Sequence, residues 1–541
     1  MIEPSLAELI AAVEPQEPRL LSGLIQRLEA AGQLRGARRD GRPIGVQALA
    51  DLPIRAIAYD SRRVRPGGIF VAVRGLHVDG HDFLVDAEVN GASVAIVEQP
   101  VPGSNLPELV VEGGLAALAR TAAWWYGDPS HELGVVGVTG TDGKSTTCVL
   151  AVAALEAAGV ATGMIGTVET KIGARREANA EHVTTPQAPE LQAGLRAMVA
   201  AGDRVAVIET TSHGLALERV TEVAYDVAIL TNLSHEHLDL HGTFEAYRAA
   251  KLQLFERLGR RGVTKPWPRV GIVNHDDPQA NLFEAVVHES GARLITYGTD
   301  PAAEVRAERV EEDASSLRIA IAGPRWRGLV NLQLIGRFNV HNALAAFALG
   351  EALELDPEAV RAGLESVAGV PGRMERVESG QPFGVIVDYA HSPNALEKVL
   401  DVLAPLAAAR GGGLIVVFGS AGERDVAKRA VMGRIAGARS RVVVVTDEDP
   451  RGEDPYAILD QIARGAESAG RRRDRDLLLI SDRRAAIAAA FERARPGDIV
   501  VLAGKGHERS IIVGREARPW NERQAAVDAL AALGYTGSGR R

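Results

Sequence analysis

The chain of 541 residues has one cysteine, Cys148, which excludes an internal disulfide framework. Cys148 falls on the helix predicted after a glycine-rich loop and reads as buried packing rather than as a nucleophile. Aromatic residues are scarce, at 4%, and no apolar run reaches the roughly 18 residues of a membrane-spanning helix. The first residues carry acids instead of the basic, apolar character of a signal sequence, so a cytoplasmic location is expected, without membrane insertion. Positive charge is not in excess: a formal net charge of -9 argues against a nucleic-acid binder, while local arginine clusters can still meet anionic substrates. No internal repeat or low-complexity segment occurs, and the strand-end Gly419-Ser420-Ala421-Gly422 lacks the spacing of a dinucleotide fingerprint.

What is abundant is alanine and glycine, which suits helices layered on parallel strands in an α/β fold. The length exceeds one core, and three domains are expected: a small α/β domain over 1–108, a central domain over 109–369 and a Rossmann-like domain over 370–541. Residues 6–28 have helical apolar spacing, and the basic, glycine-rich stretch 32–45 reads as a mobile loop. Apolar runs at 56–59, 69–73 and 94–97 predict the first strands. The polar marks that follow, Asp60-Ser61-Arg62 and residues 75–80, read by themselves as solvated turns. Trp124, Trp125 and Tyr126 read as packing at a helix end.

Residues 133–147, LGVVGVTGTDGKSTT, predict a buried strand, a phosphate-cradling loop and a helix. Lys144 would neutralise phosphate charge and Ser145 could hold a metal. The usual spacing of such loops fails by one position, since Gly137 precedes Val138, where the first glycine belongs. Further runs at 205–208, 227–230 and 270–273 indicate a mostly parallel sheet whose polar tails converge on the loop. His235, Glu236, His237, Asp239 and His241 resemble zinc ligands in type, but beside a phosphate loop the expected metal is magnesium, with Glu209 and His237 as possible contacts. Lys251, within AYRAAKLQLF, reads by pattern as a snorkelling surface lysine. Residues 292–334 read as irregular strands. The last third places strands at 385–387, 414–418, 442–445, 477–480 and 499–502, each ending in polar residues.

Taken in order, GVTGTDGKST, TTP at 184–186, ETTSHGL, TNLSHEHLD, GRFNVHN, GRME at 372–375, DYAHSP and GKGHE resemble the Mur ligases. The match runs from about residue 56 to the end and leaves the first fifty residues poorly matched; the shifted glycine becomes part of a GxxGTxGK[ST] form. GKGHE and the Glu-Asp-Pro-Arg stretch resemble the MurE branch, which adds the third amino acid to UDP-N-acetylmuramoyl-L-alanyl-D-glutamate. The resemblance implies a monomeric, ATP- and magnesium-dependent ligase that forms an acyl phosphate and passes it to a diamino acid. It implies ATP contacts at Gly140, Thr141, Gly143, Lys144, Ser145, Thr146, Asn339, Asn342, Arg373 and Asp388, with His391 in the same strand-end element. Glu209 and His237 match metal positions, and Lys251 matches a lysine that the family carbamylates, which reverses its reading by pattern. Ser61, Arg62 and His77 would meet the UDP end, and Thr184, Thr185, Thr211 and Arg219 the muramoyl dipeptide. Arg424, Asp449, Arg451, Gly504 and Glu508 match the amino-acid site.

The chain departs from the family pattern at Thr210-Thr211, where Val-Ser is common, at Asp142 in place of asparagine, and at SAGERDVAKRA in place of CGGDRDKGKRP. Glu448-Asp449-Pro450-Arg451 stands where members that take meso-diaminopimelate read Asp-Asn-Pro-Arg. Arg451 favours a distal carboxylate, whereas the added charge of Asp449 favours the terminal ammonium of lysine or ornithine, so both remain open. A turn that merely caps the next helix would explain Asp449 but not its coincidence with the selecting motif. Rival readings are a MurF-type ligase or folylpolyglutamate synthase of the same superfamily, a kinase-like P-loop enzyme, and a non-catalytic partner protein.

Overall fold

Strands that are apolar at every position need cover on both faces, and that requirement organises the molecule. The computed structural model describes residues 4–75, 78–179, 183–234, 238–259, 263–313 and 316–537. The chain divides into two compact units, one of residues 1–308, 321–327 and 341–364, the other of 309–320, 328–340 and 365–541. No helix among the described residues is long and apolar enough to cross a membrane.

Besides the short pair Arg19–Leu20 with Pro53–Ile54, the described residues of the first unit carry two larger sheets. Its N-terminal sheet has the order Arg42–Ile44, Leu34–Arg39, Glu108–Val111, Ala92–Val97, Gly68–Val71, Ala56–Ala58, the last four parallel. The stretch 32–45, expected as a mobile loop, is instead an ordered edge hairpin. It turns at Asp40-Gly41, both at positive φ, the two-residue turn that matches strand twist, and Arg35, Arg39 and Arg42 are exposed, so their charges stay in water. Glu108–Val111 pairs inside this sheet, so the expected boundary after residue 108 falls within a strand. Leu24, Ile25 and Leu28 of helix Ser22–Ala30 pack with Trp124 and Trp125 of helix Gly114–Tyr126 on the sheet's core, as packing rather than ligand stacking requires.

In the central sheet, Gly134–Thr139 lies between Val205–Glu209 and Val227–Leu230, all parallel. Thr162–Ile165 extends one side, and Val270–Asn274 and Arg293–Gly298 the other. The stretch expected as irregular strands is regular: the same sheet runs on through Val305–Glu312, Leu317–Ala322 and Arg327–Leu332. In LRIAIA, Leu317, Ile319 and Ile321 are buried while Arg318 is exposed, the alternation of a sheet with one wet face.

The second unit is built on one sheet in the order Glu375–Arg376, Gly384–Asp388, Ile499–Ala503, Leu414–Phe418, Val442–Val445, Leu477–Leu479, all parallel except the first. Leu414, Val416 and Phe418 point into a core with helices Pro393–Ala409, Ala427–Arg439 and Pro455–Ser468. Ile415 and Val417 point the opposite way, against Arg483–Glu492 and Glu522–Ala532. Period-two alternation between two apolar faces is what makes each run apolar throughout. The described strands therefore make three main α/β parts: a small N-terminal sheet, a mostly parallel central sheet and a Rossmann-like C-terminal sheet.

Candidate active site

The phosphate loop follows Gly134–Thr139 at the carboxyl edge of the central sheet. Two glycines are required by close approach: a Cβ on Gly140 would stand 1.9 Å from Thr231 Oγ1, and one on Gly143, at φ +84, 2.3 Å from Asn342 Oδ1. The neighbouring strand tail braces the loop. Thr141 N donates to Asn232 O at 2.8 Å, Asp142 N to Asn232 Oδ1 at 3.0 Å, and Thr231 Oγ1 to Asp142 O at 2.7 Å. This bracing uses the backbone of Asp142, so aspartate in place of asparagine leaves it intact.

Helix Lys144–Ala157 starts on this loop, and Lys144 Nζ donates back to Gly140 O at 3.1 Å and Thr141 O at 2.8 Å. Ser145 Oγ lies 3.1 Å from both oxygens of Glu209, which ends the adjacent strand and also accepts Thr167 N at 3.0 Å. Lys251 is 1% exposed, and its Nζ donates to Gly140 O at 2.6 Å and lies 4.6 Å from the Tyr247 ring centre. The reading of Lys251 as a surface lysine is thus corrected: helix Phe244–Glu256 turns this residue toward the loop. His237, with His235 and Glu236, lies outside the described residues. His241 packs edge-on to Tyr247 at 5.4 Å. Among the described residues, no group of three or more His, Cys, Asp or Glu is placed to hold a metal. Ser145 and Glu209 nevertheless offer adjacent hard oxygen donors, the chemistry magnesium takes beside phosphate.

The residues expected around the dipeptide are contiguous with Glu209. Thr185 Oγ1 donates to Glu209 O at 2.8 Å and lies 3.0 Å from Thr211 Oγ1, so the threonine at 211 keeps a hydroxyl in place. Thr184 Oγ1 is 2.9 Å from Thr167 Oγ1, and Arg219 Nη1 donates to Thr185 O at 2.8 Å. Burial lowers the pKa of Arg219, and its Nε has no hydrogen-bond partner. An uncommitted N–H on a half-buried guanidinium suits an anionic ligand. Ser61 and Arg62 belong to the N-terminal sheet, on a turn that Asp60 caps by accepting Arg62 N, with the Arg62 guanidinium 2.7 Å from the same carboxylate. His77 lies outside the described residues.

Asn339, Arg373 and Asp388 belong to the second unit. Asn339 Nδ2 donates to Ile335 O at 2.7 Å, and Asp388 accepts Met374 N and Ala390 N at 2.8 Å each. Burial pushes the Asp388 carboxyl up, against the pull of Arg373. Tyr389 packs against His391 at 4.5 Å and His507 at 4.9 Å, with the Arg373 guanidinium 4.9 Å from its ring centre. The strand ends also gather Asp449, Gly504 and Glu508, whereas Arg424 is exposed beyond Leu414–Phe418. Lys505 Nζ lies 2.8 Å from Asp449 and 2.5 Å from Glu508. Asp449 is therefore not an unanswered negative charge, which corrects the premise on which its repulsion of a carboxylate rested. Nor does it cap the next helix: Asp454 does, accepting Tyr456 N.

Family models described as the Mur ligase family catalytic domain, the Mur ligase middle domain and the Mur ligase glutamate ligase domain match residues 53–121, 138–350 and 372–506. A UDP-N-acetylmuramyl-tripeptide synthetase of Roseiflexus sp. (strain RS-1) is 48% identical over 491 residues, 90% of this chain and 96% of that protein. The chain belongs to the Mur ligase family. A UDP-N-acetylmuramoyl-L-alanyl-D-glutamate--2,6-diaminopimelate ligase of Geobacter metallireducens is 39% identical over 503 residues, 90% of this chain and 96% of its own. A solved structure of a ligase of that same name superimposes with a TM-score of 0.62 at 29% identity, covering 92% of this chain and 99% of that one.

In this Mur ligase, several residues of the site were not singled out from sequence. Thr167, which contacts Glu209, was not named at all, while Tyr247, which contacts Thr141, and Thr231, Asn232, Glu448 and Lys505 were quoted only inside longer stretches, without a role of their own. Lys505 had a signal, since it lies inside GKGHE. Thr167 had none, because its contribution is a backbone N–H.

Proposed function

We propose that this Mur ligase joins a diamino acid to UDP-N-acetylmuramoyl-L-alanyl-D-glutamate with cleavage of ATP to ADP and phosphate, a step of peptidoglycan precursor synthesis. The observation that carries the reading is one continuous cluster: phosphate loop, Lys144, Ser145, Glu209 and buried Lys251, linked through Thr185 to Thr211 and Arg219. The names of the relatives from Roseiflexus and Geobacter support it, and the second names diaminopimelate.

A carboxylate is a poor acyl donor, and moving the γ-phosphoryl group of ATP onto its oxygen supplies a leaving group. The loop amides and Lys144 hold the phosphate oxygens, Lys144 exchanging its two carbonyl partners for them. Arg219, Thr184, Thr185 and Thr211 orient the dipeptide so that its D-glutamyl side-chain carboxylate faces the loop. The amine then forms the C–N bond, the C–O bond to phosphate breaks, and the amine gives up a proton. Ser145, Glu209, His237 and a carbamylated Lys251 would hold magnesium, which when bound neutralises oxyanion charge. Asn339, Asn342, Arg373 and Asp388 serve the nucleotide, and Ser61, Arg62 and His77 the UDP end. The regions of the N-terminal, central and C-terminal sheets are read as the UDP-sugar, ATP and amino-acid domains of a cytoplasmic monomer.

Phosphate release measured with ATP, the UDP-sugar dipeptide and a panel of meso-diaminopimelate, lysine and ornithine tests this. Release that depends on both dipeptide and amine is expected, and release independent of either would refute ligation.

A further inference from the structure

Charge is spread unevenly over the second unit. Its parallel strands Ile499–Ala503, Leu414–Phe418, Val442–Val445 and Leu477–Leu479 lie side by side, so the stretches that lead into them, 493–498, 410–413, 439–441 and 471–476, meet along one edge of the sheet. These four stretches hold nine arginines and three aspartates, in a chain whose net charge is -9. Hydrogen bonds join neighbouring stretches: Arg441 Nη2 donates to Arg493 O at 3.0 Å, Arg471 Nη1 to Arg441 O at 3.3 Å, and Gly413 N to Asp498 Oδ1 at 2.8 Å.

Helices Pro393–Ala409, Ala427–Arg439, Pro455–Ser468 and Arg483–Glu492 end at this edge, and a cation there complements the carbonyl end of each helix dipole. That accounts for one arginine per helix, and four of the nine are answered by carboxylates. Arg441 pairs with Asp498 at 2.5 Å and Arg471 with Asp476 at 3.8 Å. Arg439 reaches Glu397 and Asp401, and Arg473 reaches Glu467 and Asp460, all on flanking helices. Arg410, Arg472, Arg475, Arg493 and Arg495 have no ion-pair partner among the described residues, and all but the half-buried Arg493 are exposed. None of the exposed large apolar side chains of the described residues falls in these stretches.

The chemistry of this edge selects its partner. Nucleic acids are read by an element lying in a groove or by aromatic side chains that stack on bases, and these short stretches supply neither. A row of guanidinium forks without apolar wedges suits phosphates spread over a surface, as on a bilayer of anionic lipids. The strands are short, so this edge stands ~15 Å from the carboxyl ends that carry Asp388, Asp449 and Gly504, beyond the screening length of ~8–10 Å. Engaging one edge therefore leaves the other open, and the surface lies outside the residues that the proposed reaction uses.

We propose that the amino-terminal edge of the second unit's sheet is a docking surface for an anionic bilayer, held peripherally and without insertion by Arg410, Arg472, Arg475 and Arg495 on lipid phosphates.

The test is sedimentation of the full chain with vesicles of phosphatidylcholine alone and with about one-third phosphatidylglycerol, at ionic strengths from about 0.05 to about 0.5 M. Binding is expected to the anionic vesicles alone, and to weaken about tenfold or more across that range of salt. The triple variant Arg472→Gln, Arg475→Gln, Arg495→Gln should bind about a hundredfold more weakly, each arginine near an anionic surface contributing about fivefold, and should unfold in denaturant at the wild-type midpoint. No binding of wild type to the anionic vesicles, or undiminished binding of the variant, overturns the inference. So does tighter binding of wild type to a mixed-sequence single-stranded RNA than to the vesicles, which would make the partner a nucleic acid. Should the triple variant unfold, Arg472→Gln alone, expected to bind about fivefold more weakly, decides.

Discussion

Two glycines at opposite ends of one helix separate backbone strain from close approach. Gly143 precedes helix Lys144–Ala157 at φ +84, and Gly159 follows it at φ +78. A Cβ on Gly159 meets nothing within 4 Å, whereas one on Gly143 falls 2.3 Å from Asn342 Oδ1. Alanine at either site incurs the left-handed penalty of ~1–2 kcal/mol. At Gly143 the contact must also open, displacing Asn342 from Thr147 Oγ1, its partner at 3.2 Å, which adds ~1 kcal/mol or more. Gly159→Ala should therefore lower stability by ~1–2 kcal/mol and leave the KM for ATP unchanged. Gly143→Ala should cost about 2–3 kcal/mol and lower kcat/KM for ATP about a hundredfold, since a misplacement of about 1 Å at a reacting phosphate costs that much. Denaturant unfolding reads the first quantity and initial rates across ATP concentrations the second. Equal losses of stability in the two variants, with ATP kinetics untouched in both, would refute the assignment of Gly143 to a crowded phosphate cradle.

Three further outcomes follow from the same geometry. Lys251→Ala should abolish ligation to below about a hundredth of wild type and regain rate with added short carboxylic acids if the lysine acts as a carbamate; an undiminished rate removes it from the mechanism. Glu522→Gln strands Arg483, the two being 0% and 1% exposed, and should destabilise by about 3–5 kcal/mol in denaturant unfolding, while replacing both by apolar residues recovers most of it. Desolvation opposes ionisation of Asp276, but hydrogen bonds from Thr299, His341 and Asp300 prevail and hold its pKa at about 2, below the ordinary 3.8. Its contribution is then fully present above pH 3.8 and is lost as pH falls toward 2; thermal unfolding against pH should show this slope, and Asp276→Asn should flatten it.

How much was legible in the sequence depended on whether a residue's neighbours are close along the chain. The phosphate loop was legible because strand, turn and helix are consecutive, so Gly140, Gly143, Lys144 and Ser145 carry their geometry with them. Leu414–Phe418 and Val442–Val445 were legible because only strands covered on both faces are apolar at every position. The hairpin over Leu34–Ile44 was not, because its strands carry exposed arginines at 35, 39 and 42 and so lose the apolar signal by which strands are recognised.

What the sequence determined by itself was the α/β layering, the phosphate loop and the order of motifs that marks a Mur ligase. Only the tertiary structure decided how charges were answered. Lys251 meets Gly140 across 111 residues, and Lys505 meets Asp449 across 56. A helix pattern leaves open which face a lysine joins, and a formal charge says nothing of the buried ion opposite it. Both depend on which elements the fold brings together, because burial strengthens a pairing that water would screen.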